Sequence, residues 1–160
     1  ALEGRAGEPE QQQQQKLEAP KLLADTPPAR VEQIQELLRA LRWGDPHESL
    51  GYVFDAVRAC KRALADRVPL IGFCGAPFTT LSYLVEGQTS REFERIKGMI
   101  FAAPAVFAGL MEKMTTLLCE YLRGQVLAGV DALQIFDSWA GALAPADYRA
   151  HVLPHLSRLL

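Results

Sequence analysis

Two short segments of the chain hold the residues best suited to chemistry. The first, residues 72–87, reads GFCGAPFTTLSYLVEG and places the phenol of Tyr83 one helical turn before the carboxyl group of Glu86. The second, residues 136–141, reads FDSWAG and places the carboxyl group of Asp137 beside the hydroxyl group of Ser138. Such groups donate protons or hydrogen-bond an anionic substrate. Because no histidine lies near Ser138 in the sequence, the pattern favours hydrogen bonding over a serine nucleophile.

Each of these residues also has an ordinary structural interpretation. A tyrosine in a helix that follows a strand is more often an amphipathic core residue than a catalyst, and the spacing around Tyr83 fits that description. Asp137 is as well suited to a capping or structural role as to a functional one. Glu86 has no basic residue at i+4, so its carboxyl group is either exposed or bound by a partner elsewhere in the fold.

The cysteines and histidines form no pattern typical of a metal site. Cys60, Cys74 and Cys119 have no CxxC spacing, and each is expected to be a buried thiol. His151 and His155 lie one helical turn apart, but no third ligand is evident, so a solvated helix face is the better interpretation. We therefore predict no metal.

The composition excludes several classes of partner. The 160 residues are 49% apolar and 22% charged, and 17 Lys plus Arg against 19 Asp plus Glu leave a net charge of −2. A protein that binds the nucleic-acid backbone needs a basic excess, which this chain lacks. No run of 18 uncharged apolar residues and no secretory signal pattern occurs, so we expect a cytoplasmic protein without a membrane partner.

The chain changes character after its first residues. Residues 1–28 hold four of the ten prolines and the five glutamines of residues 11–15, which predicts a loop or disorder. From residue 29 onward we expect a single domain. Apolar residues at three- and four-residue spacing predict helices over residues 31–41, 50–64, 78–86, 92–101 and 105–128, and a further helix from Pro145.

Two apolar runs, residues 68–74 and 130–136, read as buried parallel strands. Strands that alternate with helices indicate an α/β sheet with crossover connections, and two parallel strands do not make a stable sheet. The economical interpretation is an internal piece of a longer (β/α)8 TIM-type barrel. In such barrels function lies in the loops that follow the strands, which are the two segments described first.

The first of these segments resembles a signature of the uroporphyrinogen decarboxylase family. The signature has glycine, phenylalanine, two small residues, any residue, proline, an aromatic residue, threonine, three residues, tyrosine, two residues and glutamate. The matching positions are Gly72, Phe73, Cys74, Gly75, Pro77, Phe78, Thr79, Tyr83 and Glu86. Thr80 and Gln88 depart from the usual family residues at peripheral positions. The likeness continues through GQVLAGVDALQIFDSWAG at residues 124–141 and covers roughly residues 50–160.

The resemblance implies a cofactor-free carboxy-lyase of haem biosynthesis that converts the four acetate side chains of uroporphyrinogen III to methyl groups, giving coproporphyrinogen III. It implies that Tyr83 is catalytic and places its hydroxyl beside the reacting acetate. It implies that Ser138 binds a substrate carboxylate and that Phe73 lines the cleft. The expected partner is thus a small tetrapyrrole substrate, and the expected full-length form is a homodimer.

Three family features are absent from these 160 residues: an Arg-Gln-Ala-Gly-Arg stretch, an aspartate beneath the pyrrole N–H groups and a late histidine. We therefore expect the chain to be the middle of the enzyme and to be inactive alone. Two alternatives stay open. Cobamide-dependent methyltransferases resemble this family in fold but bind zinc through His and Cys ligands. A partial barrel that serves as a non-catalytic interaction module is the other.

Overall fold

The structure, a computed structural model, describes residues 43–87 and 92–160 together with Glu36 and Ala40. The predicted loop over residues 1–28 lies outside the described residues, as does most of the predicted helix over residues 31–41. The described elements, in chain order, are α1 (Pro46–Ser49), α2 (Gly51–Leu64), β1 (Ile71–Gly75), α3 (Pro77–Glu86), α4 (Glu94–Ala102), α5 (Pro104–Ala128), β2 (Ala132–Phe136), a 3-10 turn (Ala140–Ala142), α6 (Pro145–His151) and α7 (Leu153–Leu156).

The two strands pair in parallel, with Ile71 opposite Ala132 and Gly75 opposite Phe136. Helices α3, α4 and α5 form the crossover between them. A parallel pair joined by helices is the building unit of a (β/α) barrel, so the predicted fold class is confirmed as part of such a barrel. The predicted elements from residue 50 onward are present, with ends displaced by at most three residues.

Proline and glycine set the ends of the helices that carry the site. Pro77 opens α3 and Pro104 opens α5, where the missing N–H costs no helical hydrogen bond. Gly87 and Gly129 close these two helices with φ values of +68° and +106°. Only glycine adopts such values without strain, which explains why both helices stop where the sequence predicts.

The core forms around α5, which contacts both strands and the other described α-helices, including α6 through the rings of Phe107 and His151. Large, fully buried apolar side chains of this core come from α3, α4, α5 and the α6–α7 junction: Phe78, Leu81, Ile96, Ile100, Phe107, Met111 and Val152. In the carboxyl-terminal part of α5, Gly124 leaves room for the ring of Phe54 on α2. A Cβ atom at position 124 would clash with that ring. Close packing of α2 on α5 therefore depends on that glycine.

Within the described residues, no single helix is long and apolar enough to cross a membrane. Helices α4 and α5 together satisfy the length and composition criteria, but the chain bends by 116° between them.

The prediction of two buried strands is wrong for one face of β1 and for β2, none of whose residues is buried. Gly72 and Cys74 face α5 and are buried, whereas Ile71 and Phe73 on the other face are 57% and 62% exposed. Phe136 on β2 is also exposed. A parallel strand is buried on both sides only where helices or barrel-interior side chains cover both. In the described part of the chain α5 covers one face, and the other is an open, largely apolar surface.

Charged groups fasten the amino-terminal end of β2. The Asp131 carboxylate accepts the backbone N–H of Leu70 at 2.7 Å and a hydrogen bond from Lys61 Nζ at 2.6 Å. Lys61 also pairs with Asp66 at 2.8 Å. The Leu70 N–H, and after it the Lys61 ammonium, lower the pKa of Asp131, while the Asp131 hydrogen bond raises the pKa of Lys61. These contacts join α2 to both strands.

Candidate functional site

The two segments singled out in the sequence meet at the carboxyl ends of β1 and β2. The backbone N–H of Ala76, the residue after β1, donates to the carbonyl oxygen of Phe136 at 2.8 Å and ties the two loops together. This is the end of a parallel barrel where active sites are built, because the loops there differ freely while the strands hold them. The loops lie beside the open face of the sheet.

Gln125 on α5 fixes the position of Phe73. Its side-chain oxygen accepts the Phe73 N–H at 3.0 Å and its amide nitrogen donates to the Phe73 carbonyl oxygen at 3.0 Å. A Cβ on Gly72 would lie 2.5 Å from the Gln125 oxygen, so this pairing requires glycine. The Phe73 ring is thereby displayed on the open face, where it meets the ring of Phe136 edge-on at a centroid distance of 5.9 Å.

Tyr83 lies on the surface of α3, so the interpretation of this tyrosine as a core residue is wrong. Its side chain is 56% exposed. Its ring meets that of Trp139 edge-on at a centroid distance of 6.1 Å, and Trp139 packs on Phe93 at 4.9 Å. The indole Nε1 of Trp139 is buried without a hydrogen-bond partner in the described part of the chain. Ring packing thus joins the helix that carries Tyr83 to the loop that carries Ser138.

Asp137 is bound from two sides by hydroxyl groups. Thr79 Oγ1 donates to Asp137 Oδ1 at 3.0 Å, and the Tyr148 hydroxyl donates to Asp137 Oδ2 at 2.8 Å. The N–H of Trp139 in turn donates to Thr79 Oγ1 at 3.2 Å. Burial, and then the Asp137 carboxylate, raise the pKa of Tyr148 to about 12. Of the two interpretations open for Asp137, the contacts favour the structural one.

Ser138 lies between these anchored neighbours. Its side chain is exposed and makes no hydrogen bond with any described residue. No described histidine contacts it, in agreement with the inference that it is not an activated nucleophile. A free hydroxyl in a loop held on both sides is available to hydrogen-bond a ligand.

Glu86, one helical turn beyond Tyr83, is buried and bound by another helix. Its carboxylate accepts the backbone N–H of Ile96 at 3.1 Å, and the Arg95 guanidinium donates to its backbone carbonyl at 3.2 Å. Of the two possibilities that the sequence left open, the partner elsewhere in the fold is the one observed. Glu86 therefore connects α3 to α4 and faces away from the exposed side of α3.

The two histidines that are one turn apart in sequence lie on different helices, because α6 ends at His151 and Pro154 follows within α7. The predicted solvated face is wrong, because both histidines are partly buried. His151 meets the ring of Phe107 edge-on at a centroid distance of 6.3 Å, and His155 Nδ1 lies 3.3 Å from Thr115 Oγ1. No group of three or more His, Cys, Asp or Glu side chains able to hold a metal occurs among the described residues.

The expectation of three buried thiols holds for one cysteine. Cys74 is buried, and this burial raises its pKa to about 11. Cys119 is partly buried. The prediction is wrong for Cys60, which lies on the exposed side of α2.

The structure links the predicted site residues through their neighbours. Tyr83 contacts Trp139, the residue after Ser138, while Phe73 contacts Phe136, two residues before it. Sequence reasoning missed Trp139 and Tyr148 as parts of the site. Trp139 had a signal, an aromatic residue in a loop after a strand, whereas Tyr148 sits in a helix and nothing in its spacing marks it.

Comparison with known proteins gives consistent results. A family model described as uroporphyrinogen decarboxylase (URO-D) matches residues 19–160. The protein named uroporphyrinogen decarboxylase from Pelobacter propionicus is 56% identical over 125 residues, which cover 78% of this chain and 36% of that protein. The protein of the same name from Thermus thermophilus is 52% identical over 132 residues, 82% of this chain and 37% of its own length. The protein of the same name from Geobacter sulfurreducens is 50% identical over 120 residues, which cover 75% of this chain and 35% of that protein.

The chain thus spans about a third of the length of the curated relatives it matches. Neither the methyltransferase nor the interaction-module alternative gains support from these comparisons.

Proposed function

Because the chain belongs to the uroporphyrinogen decarboxylase family, we propose that the complete protein converts the four acetate side chains of uroporphyrinogen III to methyl groups, giving coproporphyrinogen III. Each step replaces a carboxylate with a proton and releases CO2. The chemistry needs no cofactor, since protonation of an electron-rich pyrrole carbon makes the ring itself the electron sink. The protein has to bind a polyanionic macrocycle, hold a proton donor beside the reacting acetate and exclude water.

The observation that carries this proposal is the position of the Tyr83 phenol. It is exposed at the end of the sheet where barrel enzymes work, and the ring of Trp139 on the loop after β2 packs against it. In the proposal its hydroxyl lies beside the reacting acetate. The open face with Phe73 and Phe136 offers an apolar wall to a large, flat ring system, and the free Ser138 hydroxyl binds one carboxylate.

Further parts of the proposal concern the whole protein. We propose that it acts as a homodimer in the cytoplasm, without a cofactor or a metal, and that residues 29–160 belong to one barrel domain preceded by a low-complexity segment. The family likeness supports the dimer. The net charge of −2 over 160 residues lacks the basic excess that a nucleic-acid partner would require. Light scattering of the purified complete protein tests the dimer.

The central experiment is a turnover assay of the complete gene product with uroporphyrinogen III under reducing conditions, with the products separated chromatographically. We expect coproporphyrinogen III. In Tyr83→Phe we expect kcat to fall by on the order of ten-fold or more, the scale of a lost proton-donor or charge-stabilising contact. Tyr52→Phe is the matched control, because it removes a phenol hydroxyl from an exposed tyrosine on α2.

Absence of turnover in the complete protein would refute the proposed activity. An unchanged kcat in Tyr83→Phe would remove this hydroxyl from the mechanism while leaving the activity in place. Residues 1–160 alone are expected to give no product, because they lack the arginine stretch that the resemblance assigns to carboxylate binding.

A further inference from the structure

We infer that Asp137, Thr79 and Tyr148 form a positioning network that sets the loop holding Ser138 against the helix that carries Tyr83. The inference rests on the proposed function for the roles of Ser138 and Tyr83. The network itself rests on the hydrogen bonds that join α3, the β2 loop and α6. None of its three members touches the substrate in this arrangement, so they are positioning residues and not catalytic ones.

The direction of every hydrogen bond in the network is determined. An ionised carboxylate only accepts, so the hydroxyls of Thr79 and Tyr148 both donate to Asp137. The Thr79 oxygen then has its lone pairs free to accept the Trp139 N–H. A continuous series of donors, from the Trp139 N–H through Thr79 to Asp137, thus fixes the backbone on both sides of Ser138.

The network also couples the two proposed functional groups. Thr79 and Tyr83 are four residues apart on α3 and therefore share a face of that helix. The loop is thus fastened to α3 one turn before Tyr83, and the Trp139 ring contacts Tyr83 directly. Any shift of the Asp137 loop would change the separation of the Ser138 hydroxyl from the Tyr83 hydroxyl.

The charge of Asp137 argues against direct contact with the substrate. A carboxylate that faced a polyanionic macrocycle would repel it. Each Asp137 oxygen already accepts a hydrogen bond from a hydroxyl group, and both donors lie on the protein's own helices. The hydroxyls therefore hold the negative charge in place and stabilise it, while the neighbouring Ser138 hydroxyl stays free.

The test uses the complete protein and five single variants, one of them a control. Thr79→Val removes the hydroxyl at nearly constant shape, and Thr79→Ser restores it. Tyr148→Phe removes one donor to Asp137, with Tyr52→Phe as the matched control. Ser138→Ala, alone and combined with Tyr148→Phe, completes a double-mutant cycle.

Two readouts are measured for each variant. The first is KM and kcat for uroporphyrinogen III. The second is hydrogen exchange of peptides covering residues 137–143, with peptides from α5 as an internal reference for global stability. In Tyr148→Phe and Thr79→Val we expect exchange of the loop to speed up about five-fold, the effect of one lost hydrogen bond, with α5 unchanged.

We expect Tyr148→Phe to raise KM about five-fold when Ser138 is present and to leave KM nearly unchanged in Ser138→Ala. Thr79→Ser should behave like the unmodified protein. Equal effects of Tyr148→Phe with and without the Ser138 hydroxyl, or an unchanged loop exchange rate, would overturn the positioning role. If the complete protein shows no turnover, the proposed function fails, and the exchange rates alone decide whether the network positions the loop.

Discussion

Two aspartates flank β2, one at each end. Their surroundings differ because the two ends of the strand have different tasks. Asp131, just before the strand, binds the Leu70 N–H and the ammonium of Lys61. Asp137, just after it, binds two neutral hydroxyl groups. The first carboxylate joins strand to strand and strand to helix, whereas the second joins the loop that holds Ser138 to two helices, α3 and α6. In (β/α) barrels the amino-terminal face serves stability and the carboxyl-terminal face serves chemistry.

The choice of partners follows from those tasks. A cation beside Asp131 compensates its charge at an exposed position where nothing has to bind. Hydroxyl donors at Asp137 stabilise the carboxylate without placing a fixed cation there, so the anionic substrate of the proposal has no local counter-ion in this loop. The resemblance assigns that role to arginines outside these residues, which leaves the loop to orient single carboxylates by hydrogen bonds.

The largest expected effect separates the two aspartates directly. In the complete protein, Asp137→Ala removes the acceptor that holds the loop, and we expect kcat/KM to fall on the order of 100-fold, the scale of a misplaced catalytic geometry. Asp131→Ala should lower the melting temperature while kcat/KM stays near the unmodified value. Steady-state assays and thermal melts of both variants check this pair.

The control for Asp131 is Asp66→Ala, which removes the other carboxylate paired with Lys61 but leaves the Leu70 hydrogen bond intact. It should destabilise less than Asp131→Ala. A loss of activity in Asp131→Ala equal to that in Asp137→Ala would erase the distinction between the two ends of the strand.

Ser138→Ala gives the next effect. Loss of one hydrogen bond to a charged carboxylate should raise KM about ten-fold. Because the contact exists in the ground state and in the transition state alike, kcat should change little. Raised salt should weaken binding in both proteins in parallel, since in the proposal arginines outside these residues supply most of the attraction. A collapse of kcat alone would instead place Ser138 in the chemical step.

Local sequence signals predicted most of the fold. Helix ends at Gly87 and Gly129 followed from the need for positive φ, and Pro104 marked the start of the longest helix. The strands were located by their apolar runs, but their burial was not predicted correctly. Burial depends on which elements cover each face, and that is a property of tertiary structure that an apolar run does not contain.

For the site, the sequence predicted the candidate residues but not the contacts that position them. Tyr83, Ser138 and Phe73 came from loop position and resemblance, and their roles stay proposals. The partners of Asp137 did not emerge, because Tyr148 is 11 residues away and Thr79 is 58. The Thr79 contact arises because the crossover returns the chain to the sheet, and the Tyr148 contact because α6 places this residue beside the loop after β2. Local spacing carries no information about them.

At acid pH, the stability of the folded protein should depend on the Asp131 carboxylate at the amino-terminal end of β2. The pKa of Asp131 is lowered in the folded state from an ordinary value of 3.8. Its contribution is therefore present above pH 3.8 and is lost as the pH falls through the folded pKa. In Asp131→Asn the melting temperature should fall less steeply across that acid range. Equal slopes for the two proteins would show that this carboxylate does not contribute to acid stability.

On the alkaline side the Tyr148 phenol should produce the smallest effect, of opposite sign. Its folded pKa is raised from 10.0 to about 12, chiefly by burial and then by the Asp137 carboxylate. A raised pKa means that the folded state holds the proton more tightly, so this contribution is complete below pH 10 and is lost as the pH rises from 10 through about 12. Since a phenolate would face the Asp137 carboxylate, the loop should loosen in the same range.

Thermal melts of the complete protein between pH 9 and pH 11.5 are compared for the unmodified chain, Tyr148→Phe and Tyr52→Phe. Lysine and the other tyrosines titrate in this range too, so the informative quantity is the difference in slope between the variants. Tyr148→Phe should lose stability less steeply than Tyr52→Phe, by a few degrees at the alkaline end. Parallel curves would mean that the hydroxyl at the carboxyl end of β2 does not respond to alkali, and that only the Asp131 end is tuned by ionisation.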